Sequence, residues 1–167
     1  LEFAKAGVNV MINYFGDDKE ALDVKNQAET YGVRAEVYHA DISDPAQVLD
    51  LFDAIDNLFG RIDILVNNAG IAQAVSVREM SDEQWDRMIK IHMYGTFYTS
   101  RAAANRMMEQ KSGRIINITS DVVSQGAAEF AHYAAAKGGI TAFTKSLARE
   151  LAPYVLVNAV APGGTFT

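Results

Sequence analysis
Short apolar runs alternate with longer helix-patterned stretches from one end of this chain to the other, and that alternation limits the fold more than anything else. Ile62-Asp63-Ile64-Leu65-Val66, Arg114-Ile115-Ile116-Asn117-Ile118 and Val155–Val160 are largely apolar, the pattern of strands buried on both faces of a parallel sheet. Val8–Asn13 and Arg34–Ala40 read as two further strands. Between them lie stretches with apolar residues at helical spacing. One has Ala21, Leu22, Val24 and Ala28, ended by Gly32; another has Val48, Leu51, Phe52, Ile55, Leu58 and Phe59, ended by Gly60. Strands separated by helices form right-handed βαβ units, so the expected fold class is α/β with a doubly wound, mainly parallel sheet.

The helix boundaries carry their own signals. Asp44-Pro45 supplies an N-cap and a first-turn proline, and Ser81 with Gln84 forms a capping box. The spacing predicts one long helix over 82–110, with Trp85, Met88, Ile89, Met93 and Phe97 as a stripe for core or subunit packing. A last helix should run from Tyr133 to about Ala152, and 121–130 should be a loop. A length of 167 residues suits one domain, so residues 1–167 are expected to form a single unit.

Composition excludes several function classes. A net charge of -6 with no basic run argues against nucleic acid or an anionic membrane as partner. The absence of cysteine removes disulfides, thiolate metal ligands and a thiol nucleophile. His39 and His132 read as structural or exposed and have no partner at ligand spacing, so no metal site is expected. No apolar run approaches the roughly 18 residues of a membrane span, and no secretory signal is present, which leaves the cytoplasm as the default location.

The chemistry concentrates between Ser120 and Lys137. Tyr133 and Lys137 share one helix face in Tyr-Ala-Ala-Ala-Lys. A free phenol titrates near pH 10, about three units too high for acid-base work at neutral pH, and a neighbouring ammonium brings it into range. Ser120 ends an apolar strand, and open α/β sheets place ligands at the carboxyl ends of their strands. By itself Tyr-x-x-x-Lys is better explained as an ordinary exposed helix pair.

Two further segments accompany it: Asn67-Asn68-Ala69-Gly70 after one strand and Pro162-Gly163 after another. Together these residues resemble the short-chain dehydrogenase/reductase family, particularly its 3-oxoacyl reductase and sugar dehydrogenase branches, over almost the whole chain. The resemblance implies a Rossmann-like domain that binds NAD or NADP and interconverts an alcohol and a carbonyl, with a 3-oxoacyl thioester, a sugar or a secondary alcohol as substrate. It implies Ser120, Tyr133 and Lys137 as catalytic residues, with His92 standing where the family usually has a proton-relay asparagine. For the coenzyme it implies Asn13 and Tyr14 at the ribose, Asp41 and Ile42 at the adenine, and Asn67, Asn68, Ala69 and Gly70 along the cleft. Tyr133 and Lys137 should hold the nicotinamide ribose, and Pro162, Gly163, Thr165 and Thr167 should flank the nicotinamide. The Asn13-Tyr14 pair is similar to NADP-using members, but Phe15 stands where many of those have arginine, so the choice stays open with a lean to NADP. A homotetramer joined through helices 82–110 and 131–152 is expected.

The family's glycine-rich phosphate turn would lie before Leu1, and its substrate-closing segment after Thr167. The expectation is therefore a domain cut at both ends, in which Val8–Asn13 and Ile62–Val66 flank a central strand and do not pair with each other. The competing expectation is a non-catalytic homologue or fragment that serves as an oligomerisation or binding module.

Overall fold
The computed structural model describes residues 1–163. Five strands alternate with helices in the order α1 (Glu2–Lys5), β1 (Val10–Tyr14), α2 (Lys19–Glu29), β2 (Ala35–His39), α3 (Pro45–Phe59) and β3 (Ile64–Asn67). There follow α4 (Asp82–Ile89), α5 (Gly95–Gln110), β4 (Gly113–Ile118), α6 (Val122–Gln125), α7 (Ala131–Leu151) and β5 (Val155–Val160). Every strand pair is parallel, which confirms the Rossmann-like α/β architecture.

The strands form two sheets. β1 pairs with β2 from Val10↔Ala35 to Tyr14↔His39. β4 lies between β3 and β5, in registers Ile64↔Arg114 and Gly113↔Val155. Among the described residues β1 does not pair with β3, as expected of strands that flank a position between them. The expectation that Ile62–Val66 would be buried on both faces is not met: β3 is half-buried, with Val66 37% exposed. Among the described residues β3 pairs only with β4, and a strand paired on one side has less cover than one with neighbours on both.

The main core lies where α3, α5 and α7 meet β4 and β5. Val48, Leu51, Phe52 and Ile55 of α3 meet Ala103 and Met107 of α5, Ile115 of β4, Leu147 and Leu151 of α7, and Val155 and Val157 of β5. Fully burying a side chain of the Leu or Phe kind contributes roughly 1.5–3 kcal/mol, so this cluster dominates the fold's stability. The caps that the sequence announces are formed. Asp44 accepts a hydrogen bond from the Ala46 amide at 2.9 Å, and Gly60 closes α3 at a φ of 72°. Ser81 and Gln84 bond reciprocally at 3.2 and 2.9 Å.

Several expectations are corrected. The helix predicted over 82–110 is interrupted: Lys90–Tyr94 forms a π-helical turn between α4 and α5. Met88 is fully buried in its own chain, which removes it from any subunit-facing stripe. In α2 the inward residues are Ala21 and Ala28, whereas Leu22 and Val24 point to solvent. The loop after Ser120 contains the single turn of α6. His132 is fully buried, at the N-terminal end of the α7 stripe that faces the core.

Candidate active site
A buried polar network fixes the ends of β3 and β4. Asn67 Nδ2 donates to Asn117 Oδ1 at 2.8 Å and to Ser100 Oγ at 3.0 Å, while Asn67 Oδ1 accepts from Thr99 Oγ1 at 2.7 Å. Asn117 Nδ2 donates to Thr144 Oγ1 at 2.8 Å. Buried amides require partners, and these two asparagines find theirs on α5 and α7, which locks both helices to the sheet in one register. The Asn67 side chain is therefore committed to the interior. The exposed ledge of the motif is Asn68-Ala69-Gly70.

Beyond that network lies the cluster around Tyr133. Lys137, 4% exposed, donates from Nζ to the carbonyl of Ile118, the last residue of β4, at 2.6 Å. Its ammonium is 5.7 Å from the centre of the Tyr133 ring. Burial pushes the Lys137 pKa below the ordinary lysine value. Tyr133 is half-buried and held edge-on by His92 at 5.5 Å and by Phe130 at 6.1 Å. Two aromatic edges and the tether of Lys137 to Ile118 leave the phenol little freedom, which is the preorganisation that proton transfer needs.

Ser120 follows two residues after the carbonyl that holds Lys137. Its Oγ accepts from the Val122 amide and donates to Asp121 Oδ1, both at 3.3 Å. Bonds of that length are loose and leave the hydroxyl free to turn to another acceptor.

His92 sits in the π-helical turn, where one extra residue per turn is a common way to re-aim a side chain at a functional site. It is 2% exposed. Its Nε2 lies 2.8 Å from the Ile71 carbonyl and 3.1 Å from the Ile71 amide, so it donates to the first in one tautomer and accepts from the second in the other. Nδ1 has no partner among the described residues. Burial lowers the His92 pKa, the bond to Ile71 partly offsets that, and the Lys137 charge lowers it further. Nε2 is taken by Ile71 and Nδ1 is buried, so neither ring nitrogen has the direct contact with solvent that the relay role suggests.

Gly70 lies so close that a Cβ there would overlap the imidazole of His92. Gly70 and Ile71 thus touch His92 on one side and, on the other, line a cleft of about 530 Å³. Asn13, Tyr14, Asp41, Ile42 and Ala69 face the same cleft, so six of the sequence-assigned coenzyme residues come together at one sheet end. Asn13 Nδ2 is occupied by the Tyr38 and Ala40 carbonyls, both at 3.1 Å, and ties β1 to the exit of β2. Asp41 Oδ1 accepts from the Ser43 amide and hydroxyl at 2.8 and 2.7 Å, which holds the turn open beside the cleft. Glu83 and Arg87 of α4 and Lys90 of the π-helical turn also line it; no sequence signal marks them, because only tertiary packing brings that charged face to the cleft. Pro162 accepts from the Asp121 amide at 3.1 Å, and Gly163 packs on the Asp121 side chain. Thr165 and Thr167 lie outside the described residues. No group of residues suited to a metal occurs among those described.

All of residues 1–167 match the family model described as short chain dehydrogenase. The chain belongs to the short-chain dehydrogenase family. It is 37% identical over 176 residues to a short-chain type dehydrogenase/reductase of Picea abies, covering 100% of this chain and 65% of that protein. It is 38% identical over 164 residues to the 3-oxoacyl-acyl-carrier-protein reductase FabG of Staphylococcus aureus, covering 98% of this chain and 67% of the relative. Among solved structures, the acetoin dehydrogenase YohF of Salmonella typhimurium superposes with a TM-score of 0.92 at 36% identity, over 98% of this chain and 69% of the other. A putative oxidoreductase of Escherichia coli gives 0.93 at 35% identity, over 99% of this chain and 71% of the other. The chain thus spans about two thirds of the length of these short-chain dehydrogenase relatives, which are oxidoreductases by name.

Proposed function
We propose that residues 1–167 form one NAD(P)-binding unit of an oxidoreductase that interconverts an alcohol and a carbonyl at Ser120, Tyr133 and Lys137. One observation carries this reading: a buried lysine, tied to the end of β4, places its ammonium 5.7 Å from the ring of a tyrosine that two aromatic edges hold in place. The cleft supports a dinucleotide as ligand: the small residues Ala69 and Gly70 line it, and it opens at strand carboxyl ends, where coenzymes bind in this architecture.

The bound coenzyme supplies hydride exchange at the substrate carbon, one NAD(P)H being oxidised for each carbonyl reduced. The protein supplies the proton. In the reductive direction Tyr133 gives its hydroxyl proton to the carbonyl oxygen, and the Lys137 ammonium stabilises the phenolate left behind. Ser120 donates a hydrogen bond to the same oxygen. His92, packed edge-on against Tyr133, is the candidate for proton exchange behind it. Asn13, Tyr14, Asp41 and Ile42 receive the adenosine half, and Asn68, Ala69, Gly70, Pro162 and Gly163 the remainder. The tip of β1 presents Asn13, Tyr14 and Phe15 to the cleft and no carboxylate, which admits a 2′-phosphate and favours NADP.

Titration with NADPH and NADH, followed by nicotinamide fluorescence, tests the binding half, and turnover on a panel of ketones tests the rest. Saturable binding with ketone reduction is the expected result. Binding without turnover would support the binding-module alternative, and no binding of either coenzyme would refute the reading.

A further inference from the structure
Asp121 has no role in the scheme above, yet its carboxylate stands beside Ser120. By position Asp121 is the N-cap of α6, the ordinary use of an aspartate before a helix, but its side chain makes no capping bond. It is turned the other way. Oδ1 is 3.3 Å from Ser120 Oγ, and Oδ2 is 3.2 Å from where a Cβ on Gly163 would stand. The Asp121 amide donates to the Pro162 carbonyl at 3.1 Å, which fixes the residue in the wedge between the exits of β4 and β5. Its other side-chain partner is the exposed Gln125 amide at 3.4 Å, and no cation comes within ion-pair distance among the described residues. A carboxylate offers about four acceptor sites, and among the described residues two are used, both weakly.

We propose that Asp121 is a specificity-determining residue, selecting substrates that carry a hydrogen-bond donor on the carbon next to the reacting one. The proposal rests on the assignment of Ser120 to the substrate oxygen. A carbonyl held by Ser120 brings its α-substituent to the side chain that flanks Ser120, and there a hydroxyl finds an unspent charged acceptor. An α-hydroxy ketone, or a vicinal diol in the oxidative direction, is therefore the substrate class that fits. A 3-oxoacyl thioester has no donor at that carbon and leaves the carboxylate's remaining acceptor sites unmatched, the mismatch by which polar sites discriminate. An α-keto acid places like charges side by side and is rejected.

Hydroxyacetone, butanone and pyruvate test this, because they share a methyl ketone and differ only in the neighbouring group: hydroxyl donor, isosteric methyl, carboxylate. The wild-type protein is expected to reduce hydroxyacetone with kcat/KM at least about tenfold above butanone, and pyruvate worst of all. In Asp121→Leu the first two should become equal within about twofold while coenzyme affinity stays unchanged; Asp121→Asn, which keeps one acceptor oxygen, should lie between. A folding defect would slow all three ketones alike, so the ratio isolates recognition from stability. Equal wild-type rates on hydroxyacetone and butanone, or an unchanged ratio in Asp121→Leu, would overturn the role of Asp121 alone. Reduction of none of the three would overturn both this inference and the catalytic reading beneath it.

Discussion

His92 and His132 show how far single residues depend on their surroundings. Both are buried, and the three ring nitrogens His92 Nδ1, His132 Nδ1 and His132 Nε2 have no partner among the described residues. Burial lowers the pKa of each. An unfolded histidine titrates near 6.5, so as pH falls through that value the unfolded chain takes up protons that the folded one refuses. Stability is therefore complete above about pH 6.5 and declines below it, by up to about 1.4 kcal/mol per pH unit for His92 alone. Urea unfolding at pH 7.5 and at pH 5.5 should show a clearly lower midpoint at the acid value, before most carboxylates titrate. Equal midpoints would mean that both rings are charged in the fold. Tyr133, Lys137 and Ser120 were legible as candidates because the ordered set of segments around them resembles the short-chain dehydrogenase/reductase family, which the Tyr133–Lys137 spacing alone would not have shown. The burial of His132 was not, since a histidine one residue before Tyr133 gives no sign of which way it faces.

At the scale of elements, the legible features were those written locally. Asp44-Pro45, Ser81 with Gln84, and Gly60 announce helix ends through bonds made within a few residues. The π-helical turn at Lys90–Tyr94 was invisible, because what it accomplishes, aiming His92 at Gly70 and Ile71, involves partners about twenty residues away. Asn67 was assigned to the coenzyme cleft with its neighbours, and its side-chain partners Ser100, Thr99 and Asn117 stayed hidden for the same reason, since they come from other elements. Two glycines give a test of this packing. A Cβ at Gly70 would overlap His92, whose Nε2 is held by Ile71 and cannot withdraw freely; at Gly138, inside α7, it would meet nothing within 4 Å. Gly70→Ala should destabilise by about 1–3 kcal/mol through overpacking and weaken coenzyme binding. Gly138→Ala should stabilise by roughly 0.5–1 kcal/mol through helix propensity. Denaturant midpoints for the pair check this, and equal effects would show that the His92–Gly70 contact is not tight.

Over the whole molecule, the alternation of strands and helices fixed the fold class from sequence, while the strand pairing needed the structure. The parallel sheet is in two parts, β1–β2 and β3–β4–β5, and the candidate site lies across their carboxyl ends. An exposed aromatic surface lies on α4, the π-helical turn and α5, where Trp85, Tyr94 and Phe97 are 40%, 48% and 40% exposed and Arg101 stacks over Phe97 at 4.8 Å. We propose that this face joins subunits into a homotetramer, Met88 being excluded by its burial. Light scattering at micromolar concentration should give the mass of an assembly, and a monomeric mass would contradict it. We propose that Tyr133 gives a proton to a carbonyl that receives a hydride. Deuterium from NADPH labelled at the nicotinamide C4, followed into the alcohol product in the wild type and in Tyr133→Phe, tests this. Deuterium is expected on the carbinol carbon with the wild type, and a rate at least about a hundredfold lower in Tyr133→Phe with coenzyme affinity unchanged. Transfer by Tyr133→Phe at the wild-type rate would contradict it.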